Sequence, residues 1–168
     1  MRRAGNSVYT LFAETPEITR TLDATPNLVT NESMFIHVRH GDYLKEWHTS
    51  PEYYIESLQL PIFDWLLIKN IYVFAYGVSG INDYIETWKK IVPTSCRIVI
   101  VDSNMLKCDL DQFYAMARMR YGGICTNSTF SWWAAWLNLS PDKQFAMPNP
   151  WLNFDNLENL IFGVPVSR

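Results

Sequence analysis

The chain has 168 residues, 48% of them apolar and 15% aromatic, and carries a formal charge of −3. That supports one domain with a sizeable core, and it excludes both a disordered chain and the global basic field that recruits nucleic acid. No apolar run reaches the roughly 18 residues of a membrane span, and the opening MRRAGNSVYTLFAETPEI lacks the continuous apolar core of a signal peptide.

Residues 1–30 are weakly patterned and carry Thr, Pro and Asn, which reads as a mobile or partly helical lead-in to a domain over 31–168. MFIHV (34–38) is a short apolar run and predicts a buried strand. SPEYYIESLQ (50–59) predicts a helix, with Ser50 as N-cap and Pro51 at the first helical position. IYVFAY (71–76) is β-branched and aromatic, a second strand. INDYIETWKKIV (81–92) places Ile81, Tyr84, Ile85, Trp88, Ile91 and Val92 on one helical face. RIVIVD (97–102) is a third strand. DLDQFYAMARMR (109–120) is a helix with acids in its first turn and arginines in its last, as the macrodipole favours. GGICT (122–126), NSTFSWWAAWLN (127–138) and KQFAMP (143–148) read as strand, helix and strand.

Strand and helix alternate with short connections, so the expected fold is α/β: a Rossmann-like, open, mostly parallel sheet with helices on both faces. Cys96, Cys108 and Cys125 are widely spaced, with no C-x-x-C pair or histidine cluster, and read as buried free thiols rather than a metal site. Two exposed-looking N-x-S sequons stand at Asn31 and Asn138.

Ligands of such sheets bind beyond the carboxyl ends of the strands. The first strand ends there in MFIHVRHGDY, where His37, Arg39, His40 and Asp42 crowd around Gly41. Two chemistries use such a segment. Arg39-His40-Gly41 spells the triplet of the histidine phosphatases, which need a second histidine from later in the chain. The three histidines here, His37, His40 and His48, all precede Glu52, which rules that chemistry out. The other candidate draws on TNSTFSWWAAWL (126–137), where Asn127, Ser128 and Thr129 lead into a helix carrying Trp132, Trp133 and Trp136. Hydroxyls and backbone N–H groups at a helix N-terminus suit an anion. Asn127 or Ser128 would also cap the helix, with Trp132 and Trp136 packing inward.

HVRHGDY and NSTFSWWAAWL together resemble the inverting α-1,2-fucosyltransferases, which carry an H-x-R-R-G-D-Y segment followed by an N-S-T-F-S-W-W block. Tyr53-Tyr54, YVF (72–74), the helix from Asp109 to Met116 and PNPW (148–151) extend the resemblance over residues 30–155. It implies the C-terminal, donor-binding half of a GT-B enzyme that transfers L-fucose from GDP-fucose to a glycan hydroxyl without a metal or other cofactor. On that likeness Arg39 pairs with the donor β-phosphate and His37 lies near base or ribose. Asp42 would orient Arg39 or Tyr43, and Asn127, Ser128 and Thr129 would serve the diphosphate. Glu46 or His48 could accept the proton of the attacking hydroxyl, and either could equally be a solvated loop residue.

Three departures from the family pattern matter. His40 replaces its second arginine, exchanging a permanent charge for a group titrating near about 6.5. Ala75-Tyr76-Gly77 stands where the family carries Ser-Asp, so the carboxylate expected to read guanine is absent and Tyr76 is left to stack on a base. The glycine-rich N-terminal half is also missing, which leaves aromatic surface for that half or for self-association to cover. Two alternatives therefore stand beside the fucosyl reading: a related transferase with another nucleotide sugar, or a non-catalytic donor-binding fragment. The likeness implies a Golgi setting in a eukaryote and a cytoplasmic one otherwise.

Overall fold

The computed structural model describes residues 13–25, 28–151 and 163–167. In Ser33–Arg39 (β1) the pleat sends Met34, Ile36 and Val38 to one face and Phe35, with His37 and Arg39, to the other. Asn70–Tyr76 (β2) pairs with β1 in parallel along its whole length, Ser33 opposite Asn70 and Arg39 opposite Tyr76. With Arg97–Ile100 (β3), Gly122–Ile124 (β4), Gln144–Asn149 (β5) and Val164–Ser167 (β6) they form a six-stranded, all-parallel sheet in the order β3-β2-β1-β4-β5-β6.

Both faces are covered, which is why β1 and β2 read as nearly continuous apolar runs. Pro16–Ala24 (α1), Asp109–Arg118 (α4) and Thr129–Leu137 (α5) bury Ile18, Leu22, Phe113, Met116, Ala134 and Leu137 against the face carrying Phe35, Tyr72 and Phe74. Pro51–Leu58 (α2) and Ile81–Trp88 (α3) bury Tyr53, Tyr54, Leu58, Ile85 and Trp88 against Met34, Ile36, Ile71 and Val73. The expected Rossmann-like α/β class is the observed one. Ser50 caps α2, its hydroxyl accepting from the Tyr53 N–H at 3.2 Å, and Pro51 occupies the first turn.

Several expectations change. Within the lead-in, whose residues 1–12 and 26–27 lie outside those described, α1 is a capped amphipathic helix. Thr15 accepts from the Ile18 N–H at 3.3 Å, and Arg118 of α4 grips Glu14 at 2.6 Å and Asp23 at 2.7 Å. The helix expected to run to Val92 leaves α geometry after Trp88 and finishes in turns before Pro93. The sheet gains β6, an edge strand whose Pro165 hides it from periodicity; proline is tolerated at an edge because one side of the ladder is absent. Cys96 and Cys125 are buried, but Cys108 is exposed at the N-cap of α4. Asn138, taken as an exposed sequon, is fully buried and donates to the Met119 carbonyl at 2.7 Å.

Trp88 is 1% exposed and packs its ring against Tyr54 and Tyr84, whereas Leu66 stands 82% exposed. Trp88→Ala should therefore lower the free energy of unfolding by about 3–5 kcal/mol, and Leu66→Ala by less than about 0.5 kcal/mol. Urea titration of both variants checks this; equal effects would contradict the assigned core.

Candidate functional site

The sheet order reverses at β1. Chain leaving β1 and β2 crosses over the face of α2 and α3, whereas chain leaving β3 and β4 crosses over the face of α4 and α5. The connections after β1 and β4 therefore diverge and leave a crevice at the carboxyl end of the sheet. His37 to Asp42 enter it from β1, and Thr126 to Phe130 border it from β4.

On the β1 side two glycines allow a close approach of backbones. Gly41 has φ +27° and Gly77 φ +64°, and a Cβ on Gly77 would lie 2.2 Å from the Gly41 Cα. The His40 N–H donates to the Tyr76 carbonyl at 3.0 Å, and the Tyr76 ring folds over Gly41, where a Cβ would meet it at 2.4 Å. Arg39 is held between aromatic faces, its guanidinium carbon 4.8 Å from the Tyr43 centroid and 5.3 Å from that of Tyr76. Its Nη2 donates to both Asp42 oxygens, at 3.1 and 3.4 Å, and this bond holds the Asp42 carboxyl below its ordinary range. Arg39 Nε is buried and has no hydrogen-bond partner among the described residues.

The histidines divide by burial. His37 is 4% exposed, lies 5.7 Å from the Phe130 ring, and leaves Nδ1 without a hydrogen-bond partner among the described residues. Burial, then the nearby Arg39 charge, pushes its pKa down to about 3. His40 stacks on His48, centroids 4.1 Å apart and planes within 6°. Burial first, then the His48 charge, lowers the His40 pKa against an opposing hydrogen bond to the Thr49 backbone. His48 Nε2 meets the Tyr43 carbonyl at 3.1 Å, and Glu46 stands exposed on the 3-10 turn Lys45–Trp47.

On the β4 side Asn127 and Ser128 are buried. Asn127 Nδ2 donates to the Trp47 carbonyl at 3.1 Å, and the Ser128 hydroxyl accepts from the Phe130 N–H at 3.2 Å as the cap of α5. Thr129, the first residue of α5, is exposed. Trp132 and Trp136 are half-buried rather than wholly inward, their rings parallel within 10° at 6.5 Å, and Trp151 lies 6.0 Å from Trp132. The two motifs that share no sequence neighbourhood are thus brought together at the carboxyl end of the sheet.

A cleft of about 570 Å³ continues from His37 and Tyr76 to Asp102, Ser103, Asp109 and Gln112. Sequence reasoning did not select these last four; the available signal was Asp102 closing a strand at the ligand-binding end. It also missed Thr49, which no motif distinguishes, and passed over Thr126 at the head of the TNSTFSWWAAWL segment. A second cleft of about 590 Å³, lined by Ala13, Tyr114, Arg118 and Leu137, lies at the opposite, amino end of the sheet.

An all-parallel sheet with a guanidinium and a capped helix start beside the point where its strand order reverses is a Rossmann-like α/β domain. No family model matches the chain, and no solved structure matches it. Among curated proteins it is 27% identical, over 74% of its length, to the O-antigen biosynthesis glycosyltransferase WbnK of Escherichia coli. It is likewise 27% identical, over 76% of its length, to an alpha-1,2-colitosyltransferase of Escherichia coli. The chain is a distant relative of glycosyltransferases and spans 41% and 43% of the lengths of these two.

His37 also makes stability pH-dependent. Its folded pKa of about 3 lies below its unfolded value near 6.5, so between the two only the unfolded chain takes the proton. The stability present above the unfolded value is lost as pH falls through that window, by about 2 kcal/mol at pH 5. Urea unfolding at pH 7 and pH 5 should show this loss, and His37→Gln should remove it; an unchanged acid slope in the variant would contradict the placement.

Proposed function

We propose that the chain is the donor-binding half of an inverting glycosyltransferase that takes a deoxy sugar, L-fucose or colitose, from its GDP-sugar. The observation that carries this is Arg39, fixed by Asp42, Tyr43 and Tyr76 at the point where the strand order reverses, across from the N-terminus of α5. Breaking the glycosidic bond builds negative charge on the leaving diphosphate. A pre-oriented guanidinium and the N–H groups and hydroxyl at the start of α5 are stronger partners for that charge than for the intact donor. In this reading the diphosphate needs no metal.

The sugar is displaced from the opposite face by a glycan hydroxyl, whose proton goes to a base. Glu46 is exposed, whereas His48 is stacked on His40 and engaged with the Tyr43 carbonyl, so we assign the acceptor role to Glu46. At the other end of the cleft, Asp102 and Asp109 supply the carboxylates that the Tyr76 position lacks, and a carboxylate suits the adjacent N–H donors of guanine. Tyr76 then braces Arg39 instead of stacking on the base. Both relatives are bacterial, which favours a cytoplasmic setting over a Golgi one.

A second reading, donor binding without transfer, is favoured by His40, which stands where the likeness places a second arginine and whose pKa burial lowers.

Calorimetric titration with GDP, UDP, ADP and GDP-fucose in EDTA tests the proposal. GDP should bind selectively; Arg39→Ala should weaken it by about 30-fold or more, and Arg39→Lys should recover only part of that, since a point charge replaces a fork. Preference for UDP or ADP would move the function to another sugar, and absence of all binding would overturn the reading.

A further inference from the structure

The backbone ladder between β1 and β4 consists of Phe35 opposite Gly123 and Ile36 opposite Ile124. It stops short of Arg39 on one side and of the α5 N-terminus on the other, so the ladder itself does not set the distance between the two halves of the crevice. A buried cluster of hydroxyls stands where it ends. Tyr54 Oη, from α2, lies 3.3 Å from the His37 carbonyl and 3.2 Å from Thr126 Oγ1. It also bonds Thr49 Oγ1, which is 3.0 Å from Thr126 Oγ1. Tyr54 is fully buried, and Thr49 and Thr126 are each 1% exposed.

We propose that Tyr54 is a positioning residue, whose hydroxyl, with Thr49 and Thr126, holds Arg39, the Glu46–His48 turn and the start of α5 in one fixed arrangement around the donor diphosphate. This rests on the nucleotide-sugar reading above.

Each partner of the hydroxyl belongs to a different segment of the site. His37 precedes Arg39 on β1, Thr49 follows His48, and Thr126 precedes Asn127. From Thr126 the connection continues into α5: its N–H donates to Ser131 Oγ at 3.4 Å, and Ser131 Oγ donates to the Ser128 carbonyl at 3.4 Å. The Tyr54 ring cannot drift, because Tyr53, Trp88 and Tyr84 pack against it at 5.0, 5.6 and 6.0 Å. Burial raises the phenol's pKa, so the hydroxyl stays protonated and can both donate and accept. A cluster that merely satisfied core polar groups would not have to join three site segments; this one ties all three to α2.

The test compares GDP with GMP, which lacks the second phosphate, by calorimetry on the wild-type chain, Tyr54→Phe, Thr126→Val and Thr126→Ser, at a temperature where circular dichroism shows each folded. Tyr54→Phe and Thr126→Val should each weaken GDP about tenfold, or 1.4 kcal/mol. GMP should stay within about twofold, the variant combining Tyr54→Phe with Thr126→Val should lose little more than either single one, and Thr126→Ser should bind as wild type does. If Tyr54→Phe does not fold, Thr126→Val against Thr126→Ser decides the matter alone. Equal weakening of GDP and GMP, or no weakening of either, would overturn the positioning role while leaving the nucleotide reading intact. A wild-type chain that binds UDP and UMP instead is tested with that pair by the same criterion. A wild-type chain that binds no nucleotide overturns the functional reading and this role with it.

Discussion

The pairing of β1 with β4 ends at Ile36 and Ile124, and the crevice exists because it ends there. A parallel sheet covered on both faces has to send its connections to one side or the other, and this one changes sides between β3 and α4. At the reversal, two strands that are neighbours in the sheet release chain in opposite directions. The backbone groups freed at their ends would be costly if buried without partners. Hydroxyls from Tyr53 and Tyr54 meet two of them, Tyr53 Oη donating to the Cys125 carbonyl at 2.5 Å and Tyr54 Oη lying 3.3 Å from that of His37.

Electrostatically the crevice is simpler than its sequence suggests. The stretch from His37 to His48 contains three histidines, but His37 is kept neutral by burial and His40 is pushed the same way by burial and by its stacked partner. Arg39 is left as the fixed positive charge of the β1 end, and Asp42 grips it from an exposed position where solvent screens the pair. Asp42 therefore orients the guanidinium more than it neutralises it, and two aromatic faces complete the clamp. The same Tyr76 that displaces an expected carboxylate is one of those faces.

Much of this was legible in the sequence, for local reasons. β1 and β2 announce themselves through apolar runs, α2 through Ser50-Pro51, and the ligand end of the sheet through charge accumulating where a strand stops. What stayed hidden depends on contacts that no window covers. Thr49 and Thr126 meet across 77 positions of sequence, and neither residue type is unusual where it stands. Asn138 looks like a surface sequon until the C-terminus of α5 brings it against the Met119 carbonyl, and β6 is masked by its proline. Capping and anion binding use the same residue types, so the bonds that Ser128 makes to the Phe130 N–H and Asn127 to the Trp47 carbonyl could not be read from the sequence and belong to the fold.

The central claim is that Arg39 and the start of α5 form one diphosphate site. Nuclear magnetic resonance titration of the labelled chain with GDP tests it most directly, following the Arg39 guanidinium and the backbone amides of Thr129 and Phe130. The account predicts that all three move along one saturation curve with one dissociation constant. Shifts confined to the amino-end cleft around Tyr114 and Leu137, or an Arg39 signal indifferent to a ligand that moves the α5 amides, would contradict it.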